Sequence, residues 1–248
     1  MKVALIVGIN YKGTDFELQG CRRDAQTMRD ILITLFGYKK ENITLLDEET
    51  PLLRPTRVNI LRHLKILIDM PNVSHVFFHY SGHGSSIKDT SGDESDGFDE
   101  CIVPCDWPKV NMIVDDELNA LFQTLRSKTQ VTCVMDCCHS GTVLDLIYKF
   151  DAKQNMFVPT ERPQPLQPLI ISFSGCRDEQ TSADAFIDGK YQGALTALLA
   201  QVLRETKGDI SWAELMQRVN ELLAAKRYSQ RCVLCSSKMV LAYNKINF

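Results

Sequence analysis

The sequence lacks any apolar run near the roughly 20 residues that a bilayer span requires, so a membrane helix is not expected. It lacks an excess of positive charge. Lys and Arg number 28 against 31 Asp and Glu, giving a net charge of -3. No basic stripe marks a nucleic-acid surface, so neither membrane nor nucleic acid is an expected partner. Cysteine is too sparse for a disulfide scaffold, with an odd count of nine in 248 residues. Reduced thiols in a cytoplasmic or other reducing intracellular compartment are expected instead. No internal repeat or low-complexity tract occurs. The N-terminal apolar run Val3–Gly8 is followed by Asn10 and carries no cleavage signature, so it reads as a core strand rather than a secretory leader.

Several motifs are approached and then missed. Gly8-Ile9-Asn10-Tyr11-Lys12-Gly13 fits neither the dinucleotide nor the phosphate-loop glycine pattern. Cys232-Val233-Leu234-Cys235 has no second pair of ligands at zinc spacing, and reads as structural. Cys21, Cys101, Cys105, Cys133 and Cys176 read as ordinary buried thiols. The acidic stretch Asp89–Asp106 fails as an EF-hand, because Glu94 stands where glycine is required and Asp96 where an apolar residue is. A solvated loop accounts for Asp89, Asp93 and Glu94.

What is present is a globular composition, 44% hydrophobic and 24% charged, with short apolar runs alternating with amphipathic segments. Strands are predicted at Val3–Gly8, Ile43–Leu46, His75–Tyr80, Val131–Met135 and Leu169–Ser174. Helices are predicted at Arg23–Phe36, Thr56–Ile68, Asp115–Leu125, Gln192–Arg204 and Ser211–Ala225, and a final strand or two within Cys232–Tyr243. This is the pattern of an α/β fold, a mostly parallel central sheet flanked by helices on both faces. A single domain is expected. Residues 1–150 form its larger part, about 151–168 a short Pro-containing linker, and 169–248 the part that completes the sheet.

Two of the strands end in reactive chemistry. Val76-Phe77-Phe78 leads into His79-Tyr80-Ser81-Gly82-His83-Gly84, and Val131–Met135 into Asp136-Cys137-Cys138-His139-Ser140-Gly141. Sites in open α/β sheets lie beyond the carboxyl ends of the strands. If these strands are parallel neighbours, His83 and Cys138 meet at one rim although 55 positions separate them. An imidazole beside a thiol activates it for acyl transfer. The N–H groups of Gly84 and Cys138 are placed to form an oxyanion hole.

These two motifs resemble the catalytic motifs of metacaspases. The resemblance extends through Gly8-Ile9-Asn10-Tyr11, Leu18-Gln19-Gly20-Cys21, Asp96-Gly97-Phe98-Asp99-Glu100 and Ser174–Asp184, in the family's order. It implies a caspase-like (caspase-hemoglobinase) fold and a cysteine endopeptidase. Cys138 would be the nucleophile; Cys137 beside it reads as a small filler or a spare redox thiol, the former preferred, and since spacing identifies no third orienting side chain, His83 is expected to be held by backbone contacts. It implies polypeptide substrates cut after Arg or Lys, whose side chain is received by Asp24 and Asp136 in a pocket also lined by Cys21 and Ser81. It also implies calcium dependence, with Asp99, Asp115, Asp116 and Asp145 as ligands; from the residues alone Asp115 could simply cap its helix, and Asp24 reads comparably as an ordinary residue at a helix N-terminus. The short 149–162 region, a suspected self-cleavage segment, is similar to type I members, and a monomer is expected. The Pro-rich N-terminal extension of many type I relatives is not seen ahead of Val3. Rival readings are a calcium-independent, paracaspase-like peptidase and a non-proteolytic scaffold in stress or aggregate handling.

Overall fold

The computed structural model describes residues 1–88, 97–126, 128–137, 144, 146–160, 168–176, 185–187 and 190–248. Its frame is a run of parallel strands built from near-continuous apolar segments, the composition expected when both faces of a sheet are covered. They are β1 (Lys2–Gly8), β2 (Ile43–Leu46), β3 (His75–Ser81), β7 (Gln130–Asp136) and β10 (Leu169–Cys176). Beyond β10 lie the antiparallel strands β13 (Arg231–Ser236), β8 (Tyr148–Asp151) and β9 (Met156–Pro159). Together they form one sheet in the order β2-β1-β3-β7-β10-β13-β8-β9.

Alternate residues of each strand enter opposite cores. Ala4, Ile6, Phe77, Val134, Phe173 and Leu234 pack beneath α1 (Cys21–Phe36), α4 (Ala194–Thr206) and α5 (Trp212–Ala225). Leu5, Val7, Phe78, Tyr80, Cys133 and Met135 pack beneath α2 (Arg57–Asp69) and α3 (Asp115–Gln123). Helix starts follow from local chemistry. Thr56 caps α2 by accepting from Asn59 N, and Ser211 and Glu214 form a reciprocal capping box on α5. Helix α1 ends where Gly37 adopts φ 69°.

The α/β architecture with helices on both faces is as expected, and element ends move by only a few residues. Three features depart from expectation. A small antiparallel sheet of β4 (Gly84–Lys88), β5 (Phe98–Ile102) and β6 (Ile113–Val114) follows the His83 loop. A hairpin of β11 (Ala185–Ile187) and β12 (Lys190–Gln192) precedes α4. Part of the presumed linker is β9, paired to β8 at the sheet's edge, whereas the tail holds one strand, β13, within the expected one or two. These strands span two to six residues and carry little periodicity. The suspected self-cleavage segment therefore runs through β8 and β9, while its end at 161–162 lies outside the described residues.

The sheet carries one buried base in its body. His79, fully buried, meets Thr196 Oγ1 of α4 at 3.2 Å through Nε2, and its Nδ1 has no partner among the described residues. Burial holds its pKa down to about 3 from an ordinary 6.5. The unfolded chain therefore takes up a proton below pH 6.5 that the folded chain refuses. Stability is full above pH 6.5 and falls as the pH drops toward 3. Urea titrations should show the parent losing about 1 kcal/mol per pH unit more than His79→Gln between pH 6 and 4. Parallel pH profiles would contradict this.

Candidate active site

The parallel register sets three strand ends level. Gly8 of β1 pairs with Ser81 of β3, and Ser81 with Asp136 of β7. The chain leaves β3 as Gly82-His83, with Gly82 N donating to Asp136 O at 3.4 Å, and leaves β7 as Cys137. The two motif-bearing strands are thus adjacent, parallel and open at the same rim. His83 is described there. Cys138 lies outside the described residues, as do 139–143 and Asp145.

His83 is held by a backbone carbonyl and by aromatic contacts. Its Nε2 lies 2.7 Å from the carbonyl oxygen of Phe16. A carbonyl only accepts, so Nε2 carries the hydrogen, and in the neutral ring Nδ1 holds the lone pair. The imidazole also lies 4.7 Å from the Tyr11 ring and 5.9 Å from the Phe16 ring, centroid to centroid. This matches the expected backbone hold on His83, although nothing in the sequence pattern singled out Phe16.

Two buried tyrosines brace the loop from below. His83 N donates to Tyr11 Oη at 2.9 Å, and Tyr11 donates to Val103 O at 2.7 Å. Tyr80 donates to His83 O at 2.7 Å and accepts from Val103 N at 3.1 Å. The two hydroxyls also lie 3.0 Å from each other, and Tyr80 Oη lies 3.0 Å from Val103 O, so two hydrogens are shared among several acceptors in one connected network. Burial pushes both phenols well above their ordinary pKa, so they remain donors at neutral pH. Gly82 leaves room for them, since a Cβ there would stand 2.7 Å from Tyr80 Oη and 2.9 Å from Tyr11 Oη. Tyr11 adopts φ 54°, a left-handed conformation uncommon for a bulky residue. Gly84 opens β4 and pairs with Ile102.

On the opposite face of the rim, under α1 and α4, two carboxylates gather. Asp24 is fully buried and accepts from Ser81 Oγ at 2.8 Å and Gly193 N at 2.9 Å. Asp136 Oδ2 accepts from Thr196 N at 2.7 Å. Both sit at the N-terminus of α4, where the helix dipole favours negative charge. Gly193 is required between them. A methyl group there would overlap the Asp136 carboxylate and lie 2.8 Å from Asp24 Oδ2. Asp24, Ser81 and Asp136 are thus brought together, and Gly193 and Thr196 join them unforeseen. Cys21 is buried among core residues of the other face, with Tyr11 and Leu18, and Cys137 is buried in that same core.

A third acidic group lies on β5 and the start of α3. Asp99 and Asp115 are buried at 7% and 2% exposure, and Asp116 N donates to Asp115 Oδ1. Burial first, and then the charges of Asp115, Asp99 and Glu100, push the Cys101 thiol up to about 12. These carboxylates therefore crowd one locality. Among the described residues no three acidic, Cys or His side chains converge as a metal site. The presumed fourth ligand, Asp145, is outside the described residues, as are Asp89, Asp93, Glu94 and Asp96. Cys232 and Cys235 enter the cores on opposite faces of β13, which bars them from sharing a metal.

A sheet covered on both faces, with an oriented histidine at the rim where two neighbouring parallel strands end, defines an α/β protein with its site at the strand carboxyl ends. A solved protein from Geobacter sulfurreducens has the same fold, with TM-score 0.69 and 23% identity over 98% of this chain and 97% of that one. The family model "Metacaspase, peptidase C14 domain" matches residues 2–147. Metacaspase-1 of Scheffersomyces stipitis is 35% identical over 95% of this chain and 70% of its own length. Metacaspase-1A of Neurospora crassa is 33% identical over 94% and 62%, respectively. The chain belongs to the metacaspase family, and it spans about two thirds of the length of these curated relatives.

Tyr11→Phe would remove the hydroxyl that accepts from the part-buried His83 N–H and donates to Val103 O. It should cost about 1–3 kcal/mol in urea unfolding. The loss on combining it with Tyr80→Phe should differ from the sum of the two single losses, since the hydroxyls share one network. Wild-type stability in Tyr11→Phe would contradict the bracing role.

Proposed function

We propose that the protein is a calcium-stimulated cysteine endopeptidase that hydrolyses peptide bonds after Arg or Lys. The observation that carries this reading is the adjacency of β3 and β7, which end level at one rim two positions before His83 and Cys138 in sequence, with His83 oriented by the Phe16 carbonyl.

In this reading His83 takes the Cys138 thiol proton on its Nδ1, the nitrogen left with a lone pair by the bond to Phe16. The thiolate adds to the substrate carbonyl, with the N–H groups of Gly84 and Cys138 receiving the oxyanion. The C–N bond then breaks, and the imidazolium passes its proton to the leaving amine. A thioester remains on Cys138. Water, deprotonated by His83, attacks that thioester, releases the acid and restores the thiol.

The basic residue before the scissile bond is received by Asp24 and Asp136. Two carboxylates accepting from backbone N–H donors at a helix N-terminus offer oxygens that a guanidinium or ammonium would complete. Ser81 positions Asp24, while Cys21 begins α1, the helix that carries Asp24, with its side chain in the core of the other face.

For calcium, the donors fit in kind. Asp99, Asp115 and Asp116 offer hard oxygens, though no three described side chains converge, so the set would close only with further donors such as Asp145. Bound there, the ion would supply neutralisation of crowded negative charge. The connection to the site runs through the small sheet. Asp99 pairs with Ile87 of β4, which begins at Gly84, and Val103 N donates to His83 O. Neutralising the acidic group would steady the strands that anchor the catalytic loop.

Fluorogenic peptides ending in Arg or Asp, assayed with calcium or chelator, test this reading. Arg-ended peptides should be cleaved and Asp-ended ones not, with calcium raising the rate. Cys138→Ala should lose about a thousandfold or more, and Asp116→Ala should lose the calcium response. Preference for Asp would overturn the pocket, and full activity in chelator would leave a calcium-independent peptidase. Undiminished cellular function in Cys138→Ala would favour the scaffold.

A further inference from the structure

Phe16 serves His83 with its carbonyl, and its ring continues outward from the site. The Phe16 ring lies 5.4 Å from that of Trp107, edge to face, and Trp107 remains 37% exposed. Tyr11, His83, Phe16 and Trp107 thus form a connected aromatic run from the buried brace of the catalytic loop to the surface. Trp107 stands on the 103–112 connection between β5 and β6, and that connection is tied back to the site through Val103. A lone exposed apolar side chain needs no explanation. This one is packed on the residue that orients the catalytic base.

The two faces of the sheet give the run a direction. Asp24, Ser81 and Asp136 lie under α1 and α4. Tyr11 and Tyr80, and with them the contacts of the His83 ring, belong to the α2/α3 side. A bound peptide with its basic residue toward the carboxylates must cross the rim at the nucleophile. It then passes His83, because that imidazole protonates the leaving nitrogen. What lies beyond His83, away from the carboxylates, is the aromatic surface of Phe16 and Trp107.

We propose that Trp107, backed by Phe16, walls the subsite for the residue just after the scissile bond and selects a large apolar or aromatic side chain there. The proposal rests on the peptidase reading above and adds a specificity determinant on the leaving-group side. The substrate chemistry is then a basic residue followed by an apolar one, the first recognised by charge and the second by aromatic packing.

Internally quenched peptides with Arg fixed before the bond, and Gly, Leu or Phe after it, provide the test. The parent should prefer Phe and Leu to Gly in kcat/KM. Trp107→Ala should lower the Phe-to-Gly ratio roughly three- to tenfold, and Trp107→Phe should keep most of it. A ratio within one preparation does not depend on how much of the variant is folded. A flat parent profile, or an unchanged ratio in Trp107→Ala, would overturn the subsite while leaving the peptidase reading standing. Failure of the parent to cut any of the Arg peptides would remove both.

Discussion

The hydrogen bond from His83 Nε2 to the Phe16 carbonyl is the constraint on which the rest of the site depends. An unanchored imidazole is divided between two tautomers and many ring orientations. This bond selects one tautomer and turns Nδ1 toward the remaining work. A carboxylate in the same place would hold the ring and also stabilise the imidazolium. A carbonyl holds the ring with a dipole only, which suits a base paired with a thiol. Cysteine is the nucleophile least in need of a strong base, because its ordinary pKa lies near neutrality.

The orientation is expensive to build, and the structure spreads the demand over several segments. Tyr11 and Tyr80 occupy both polar groups of the His83 backbone and tie them to Val103. Gly82 provides the space, and the β4–β5 pairing carries the restraint to Asp99 and Asp115. On the other face, Gly193 lets the start of α4 approach two carboxylates that any Cβ at that position would clash with. A single sheet rim thus has an acidic side and an aromatic side. The alternation of Ser81 and Tyr80 along β3 is what assigns each to its face.

The five parallel strands and the five helices were legible because each carries an apolar run or a helical period long enough to read. The strands β4, β5, β6, β8 and β9 were not, because two to five residues with mixed polarity carry no distinguishable period. His83 was legible through its flanking glycines and its place after a buried strand. Phe16 was not, since its contribution is a backbone carbonyl, which every residue possesses. The tyrosines lay inside recognisable motif segments, yet only the fold shows that two hydroxyls 69 positions apart close one network. Trp107 and Gly193 are placed by tertiary contact alone.

The central claim is that one thiol, at position 138, reacts under the control of His83. Incubation with an arginyl chloromethyl ketone, followed by peptide mass mapping, tests it most directly. The account predicts a single alkylation at Cys138 in the parent chain, and little or none there in His83→Ala. Equal labelling in that variant, or labelling centred on Cys137, would contradict it.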